Sequence, residues 1–231
     1  EARPLAGDSD ILNQLAVLLG QDRVWNSKAF FSAKLEETQQ RHAKFANTIY
    51  SLEPNVKNGP GGLRDIQVVG WMARRHYGVP LNQLKSDDFL TDDEQRMLEA
   101  GQNFIGQVRF ALHQIANREE DRLLFDHQRR LAEIWEMVDG DKLAVEQFMQ
   151  VYYRWTHALA QLSELVLEFF DQDILHADDH DPAERLDEDF ELRRGQLVVR
   201  HSKVFSDRPS NLLRAFVIIA NDSRIHGIAP E

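Results

Sequence analysis

Between Leu52 and Ile66 the chain carries three glycines and two prolines beside a lysine, an arginine and an aspartate, in the order Leu52-Glu53-Pro54-Asn55-Val56-Lys57-Asn58-Gly59-Pro60-Gly61-Gly62-Leu63-Arg64-Asp65-Ile66. Glycines reach backbone conformations closed to other residues, so the amides of Gly59, Gly61 and Gly62 are candidates to converge on an anion where the loop enters a helix. That helix is amphipathic, with Leu63, Ile66, Val69 and Ala73 on one face. Lys57 adds a formal positive charge. Arg64 falls in the first helical turn, where the dipole disfavours a cation, and this suggests a carboxylate or phosphate partner. Asp65 suits the dipole and is a candidate to hold Arg64, Lys57 or a metal ion. The same stretch also reads as a tight turn followed by a charged first helical turn. It is neither a Walker A loop nor a dinucleotide fingerprint.

Other residues with chemical potential carry less. Asp8-Ser9-Asp10, Asp139-Gly140-Asp141 and Asp187-Glu188-Asp189 have the spacing of a metal-binding carboxylate pair, but each lies at a helix start or in a loop, so they read as caps or solvated acids. His180-Asp181 sits in an acidic loop beside Pro182, where rigid elements do not orient metal ligands. His42 and His113 lie in or beside apolar helical stripes and read as packed or rim histidines. Arg74, Arg75 and His76 close the motif helix before Gly78, where cations favour the dipole, and a basic cluster near Lys57 would help orient a triphosphate. Tyr152, Tyr153 and Trp155 read as core rather than a base-stacking platform. No Ser/His/Asp arrangement stands out.

The elements that must position these residues are helical. Apolar residues recur at alternating steps of four and three in three stripes, the pattern of helices packed lengthwise. The stripes are Phe31-Leu35-Thr38-His42-Phe45-Ile49, Met97-Gly101-Phe104-Val108-Ala111-Ile115 and Phe148-Tyr152-Trp155-Leu159-Leu162-Val166-Phe169. Gly101 and Ala111 admit a close neighbour, and the third stripe marks a central helix. Shorter helices carry Ile11, Leu15, Leu18 and Leu19, ended at Gly20, and Leu131, Ile134, Trp135 and Val138. Thr91 and Glu94 have capping-box spacing. Phe190 and Leu192, then Leu197 and Val199 across Arg194-Gly195, predict a β-hairpin, and Pro209 opens a last helix with Leu212, Phe216 and Ile219.

The expected fold is therefore mainly α, a helical bundle of long antiparallel helices with a small β-hairpin appendage near the C-terminus. Its expected organisation is a first packing helix, or the end of a preceding domain, over 1–20; a bundle over 21–175 containing the glycine loop; an acidic loop over 176–189; and the hairpin plus terminal helix over 190–231. The 231 residues are 42% hydrophobic and 28% charged, with no apolar run near the roughly 20 residues a membrane span needs. Zero cysteines exclude disulfides and thiolate metal sites and fit a cytoplasmic location. Glu1-Ala2-Arg3-Pro4 has no signal-peptide character. A net charge of -11 disfavours nucleic acid as a partner.

The stretch Asn55 to Gln67, followed by Trp71-Met72-Ala73-Arg74-Arg75-His76-Tyr77-Gly78, resembles the segment that follows the nucleotidyltransferase core in bacterial PII uridylyltransferase/uridylyl-removing enzymes. Asp121-Arg122-Leu123-Leu124-Phe125-Asp126-His127-Gln128 and Phe190-Glu191-Leu192 are similar to the same enzymes in the same order, so the resemblance covers nearly the whole chain. It implies an enzyme that transfers UMP from UTP to a tyrosine of the PII signalling protein and removes it hydrolytically, with magnesium as cofactor. It also implies that the chain's neighbours are the nucleotidyltransferase core and a His-Asp hydrolase domain. That family's core holds its metal with a Gly-Ser turn and an Asp-x-Asp pair. No Gly-Ser occurs here, so no catalytic or metal-binding residue is expected in this segment, magnesium belongs mainly outside it, and the segment alone is expected to be inactive. Lys57, Gly59, Gly61, Gly62, Arg64 and Asp65 are left as phosphate-binding or core-orienting candidates. The alternatives are a docking or spacer module for PII, with the loop purely structural, and the corresponding domain of the glutamine synthetase adenylyltransferases, which carry a looser version of the motif.

Overall fold

The structure is a computed structural model that describes residues 6, 8–20, 24–84, 90–176 and 183–229. It is mainly α and divides into two compact units, one reaching Leu175 and the other beginning at His176.

The first unit contains helices α1 (Ser9–Leu18), α2 (Ser27–Ala43), α3 (Leu63–Tyr77), α4 (Asp92–Ala116), α5 (Phe125–Ile134) and α6 (Ala144–Phe170). A 3-10 turn at Leu81–Gln83 follows α3, and a π-helical turn at Asp171–Leu175 prolongs α6. Helix boundaries follow side-chain chemistry. Asn26 caps α2 by accepting from the Ala29 amide at 2.8 Å. Thr91 opens α4 with the expected capping box, its hydroxyl accepting from the Glu94 amide while the Glu94 carboxylate accepts from the Thr91 amide. Helix α3 ends where Gly78 turns left-handed, at φ 76°.

Helices α4 and α6 form the spine and run antiparallel, since Gly101 lies against Leu159 while Phe104 stacks on Trp155. A Cβ at Gly101 would stand 2.9 Å from the Leu159 side chain, so glycine here sets the helix separation. Around the spine, Phe31, Val56, Val69, Met72, Ile105, Leu112, Leu123, Leu131, Phe148, Tyr152, Val166 and Phe170 close one core. Complete burial of each large side chain contributes roughly 1.5–3 kcal/mol.

The stripes hold with local corrections. Helix α2 stops at Ala43, because Ala46 and Asn47 adopt φ of 55° and 51°, so Phe45 and Ile49 fall beyond it. In α4 the buried face is Leu98, Gly101, Ile105, Val108 and Leu112, which leaves Met97 exposed. In α6 Phe170, not Phe169, is the buried terminal aromatic. Ile134 and Val138 face outward although Leu131 is buried, and the apolar face of α1 is exposed.

The second unit holds β1 (Glu184–Arg185), β2 (Phe190–Arg193), β3 (Gln196–Val199), a short α7 (Val204–Asp207), α8 (Asn211–Asn221) and β4 (Gly227–Ile228). The expected hairpin is β2 and β3, with Leu192 opposite Leu197 and a two-residue turn in which Arg194 and Gly195 both have positive φ. Two flanking strands, β1 antiparallel to β2 and β4 parallel to β3, extend it to four. Their two-residue length leaves no alternation to read. Phe190, Leu192, Leu197, Val204, Ala215 and Ile225 form this unit's core. Helix α8 packs through Ala215, Ile218 and Ile219, so Leu212 and Phe216 point outward, against expectation.

Candidate functional site

The loop before α3 is built by its own hydrogen bonds. Asn55 accepts from the amides of Lys57 and Asn58 at 3.1 and 2.7 Å, which starts the turn. The Gly59 amide donates to the Asn55 carbonyl, Gly62 to Gly59, Leu63 to Val56, Arg64 to Lys57 and Asp65 to Gly62. The Gly61 amide donates to the Asp65 carboxylate at 2.7 Å. The amides of Gly59, Gly61 and Gly62, expected to converge on an anion, all have partners within residues 55–65. Glycine is required for room instead. Gly61 has φ 72°, and a Cβ there would lie 2.1 Å from the Thr156 carbonyl oxygen of α6. One at Gly59 would lie 2.7 Å from the Asn55 carbonyl oxygen.

Two acid-centred clusters clamp this loop. Asp65, only 4% exposed, binds Arg41 at 2.7 Å and His42 at 2.9 and 3.1 Å. Arg41 also donates to the Asn58 carbonyl and to Thr38, while its buried Nε has no partner among the described residues. Asp65 therefore holds neither Arg64 nor Lys57, and three donors fill its carboxylate. On the other side, Asp121 accepts from Arg109 at 2.7 Å and meets His113 at 3.2 Å and Lys57 at 3.6 Å. Burial pushes the Asp121 carboxyl up, but hydrogen bonds from Arg109 and His113 and the nearby charges of Arg109 and Lys57 outweigh it, so its pKa lies below the ordinary value. The Asp121 and Pro54 carbonyls accept from Val56 and Leu123, so the segment Asp121 to Leu123 pairs edge to edge with the loop. Gln128 ties both together by donating to the Leu52 and Leu123 carbonyls. The two motifs, far apart in sequence, are one structural unit.

Among the expected site residues, Lys57 is engaged by Glu119 at 3.3 Å as well as by Asp121. Arg64 differs: its guanidinium lies 5.4 Å from the Trp71 ring centroid, and among the described residues no carboxylate comes within ion-pair range. Lys34 approaches the same ring at 5.3 Å and pairs with Glu37. The hydrogen bond from Lys34 holds the Glu37 carboxyl below its ordinary value. Arg74, Arg75 and His76 sit at the far end of α3, about 20 Å along its axis from the loop, so they do not join Lys57. Arg75 there donates to the carbonyls of Leu19 and Trp25.

Arg41, His42, Arg109, His113 and Asp121 escaped sequence reasoning as site builders. A signal existed for each pair: Thr38 and His42 interrupt an apolar stripe with polar groups, and Arg109 and His113 stand four residues apart on one helical face. The remaining acids behave largely as caps. Asp8 accepts from Asp10, Asp139 from Ala144, and Asp187 from Asp189 and Phe190. Asp189 departs from the solvated reading, being buried against Arg214 at 3.1 Å. His180-Asp181 lies outside the described residues. Among those described, no group of three His, Asp or Glu side chains could hold a metal ion. No helix among them is long and apolar enough to cross a membrane.

A family model described as GlnD PII-uridylyltransferase matches residues 29–167, and one described as the uridylyltransferase GlnD third domain matches residues 190–231. The chain is 44% identical to a bifunctional uridylyltransferase/uridylyl-removing enzyme of Pseudomonas aeruginosa (strain UCBPP-PA14), aligned over 100% of the chain and 26% of that protein. Enzymes of the same description from Azotobacter vinelandii (strain DJ / ATCC BAA-1303) and Stutzerimonas stutzeri (strain A1501) are 45% and 43% identical over the same shares. The chain thus spans about a quarter of the length of these relatives.

Proposed function

The chain belongs to the GlnD PII-uridylyltransferase family, and we propose that it is the helical accessory domain of a cytoplasmic enzyme that transfers UMP from UTP to the PII signalling protein and removes it by hydrolysis. In the transfer, a PII tyrosine oxygen attacks the α-phosphorus of UTP, the bond to pyrophosphate breaks, and the tyrosine proton is released. Magnesium would neutralise phosphate charge from donors outside this chain. The part assigned to this chain is orientation and charge: the first turn of α3, fixed by the loop before it, presents Arg64 to phosphate oxygens or to an acid of the adjoining catalytic core. The observation that carries this reading is Arg64 itself, a cation in the first turn of a helix, parked on an indole face with no carboxylate within ion-pair range among the described residues, in a chain of net charge -11. The uridylyl names of the relatives support this substrate over the adenylyl alternative.

A second reading makes the domain a docking or spacer module for PII with a purely structural loop, and the engagement of Lys57 by Glu119 and Asp121 favours it. Arg64→Ala in a polypeptide of the relatives' full length separates the two. The accessory-domain reading expects transfer to fall on the order of tenfold to hundredfold, while stability drops by about 1 kcal/mol, the worth of a half-buried cation–π contact. Unchanged transfer would leave the docking reading standing.

A further inference from the structure

Among the described residues of the first unit, a groove runs along the face shared by α3 and α4. It has a cavity of about 500 Å³ beside Trp71 and Leu98 and a shallower one of about 780 Å³ beside Phe110 and Trp135, and both include Gln67 and Gln102 in their walls. Two glycines in helix interiors open onto it, Gly70 on α3 and Gly106 on α4, and a Cβ built at either meets nothing within 4 Å. Helix-interior glycine costs roughly 1 kcal/mol relative to alanine, and the fold itself gives no reason for it at these positions. This contrasts with Gly61 and Gly101, where packing forbids a side chain. Phe110 is 68% exposed and Ile134 54% exposed at the same groove. Charge is depleted as well: Glu99 is the one ionisable side chain among the described residues lining either cavity, in a chain that is 28% charged.

We infer that this groove is the seat of an α-helix with an uncharged apolar face, contributed by the part of the full-length family polypeptide that lies outside these 231 residues. Apart from Pro80 to Leu84 and Leu90, the described residues lining it belong to α3, α4 and the end of α5, with no strand edge among them, which selects a helix over an extended segment. From Gln95 to Gln114 the groove follows α4 for about 28 Å, long enough for five turns of a partner. Charge depletion marks the fully buried part of a permanent interface, whereas transient partners are steered by charged rims. Relatives are about four times as long as this chain, so an occupant drawn from the rest of such a polypeptide would be covalently attached and present at high effective concentration. This rests on family membership and does not depend on whether Arg64 meets phosphate.

The test places a photoreactive benzoylphenylalanine at position 110 of the full-length polypeptide, irradiates the purified protein and maps the crosslinks by mass spectrometry. The expected result is an intramolecular crosslink to a helical segment outside residues 1–231, lost in Gly106→Arg and in Gln107→Arg. Both variants keep the helical circular dichroism and Tm of the 231-residue chain, since they point into open space. Absence of a crosslink, a crosslink between two copies or to another protein, or one that survives both variants would overturn the inference. Because the readout is independent of UMP transfer, its failure is distinguishable from failure of the Arg64 reading.

Discussion

At the scale of single residues, the loop depends on Asp65 and Asp121, and the two differ in kind. Asp65 is buried under Arg41, His42 and the Gly61 amide, so Asp65→Asn leaves a buried guanidinium without its counter-charge. Loss of one partner of a buried pair typically costs about 3 kcal/mol or more, which urea unfolding would register as a lower midpoint. Gly61→Ala should cost on the order of 3 kcal/mol too, combining a positive φ with collision against the Thr156 carbonyl; an unchanged midpoint would contradict this packing role. Asp121 supplies a pH dependence. Its folded pKa is depressed, so its stabilisation is complete above the unfolded value of about 4 and is lost as pH falls through the folded value. The urea midpoint should therefore fall between pH 5 and pH 3 more steeply in the parent chain than in Asp121→Asn.

At the scale of elements, the bundle was legible because its helices carry long stripes and explicit caps, as Thr91 and Glu94 show for α4. Register was less legible. In α4 both Met97 and Leu98 are apolar, and only the approach of Leu159 to Gly101 decides which turns inward. The outward faces of α5 and α8 misled for a similar reason, since an apolar residue signals burial without saying against what. In the loop, glycine content suggested an anion nest, but sequence could not reveal that Arg41 and His42, more than twenty residues upstream, would close on Asp65. Gly101→Val tests the spacing of the spine. The added side chain would overlap Leu159 and Trp155, so a destabilisation of about 1–3 kcal/mol is expected by thermal unfolding.

At the scale of the whole molecule, each unit has its own core, and the family signal covers both in order. A chain ending at Leu175 is expected to keep a cooperative thermal transition, because the cluster from Phe31 to Ile174 lies entirely within it. The central claim is that the domain serves a catalytic neighbour and does no chemistry alone. The most direct measurement is UMP transfer from UTP to PII, with magnesium, by the 231-residue chain and by the full-length polypeptide in parallel. Transfer by the full-length protein only is the predicted result; transfer by the 231-residue chain itself would contradict the account.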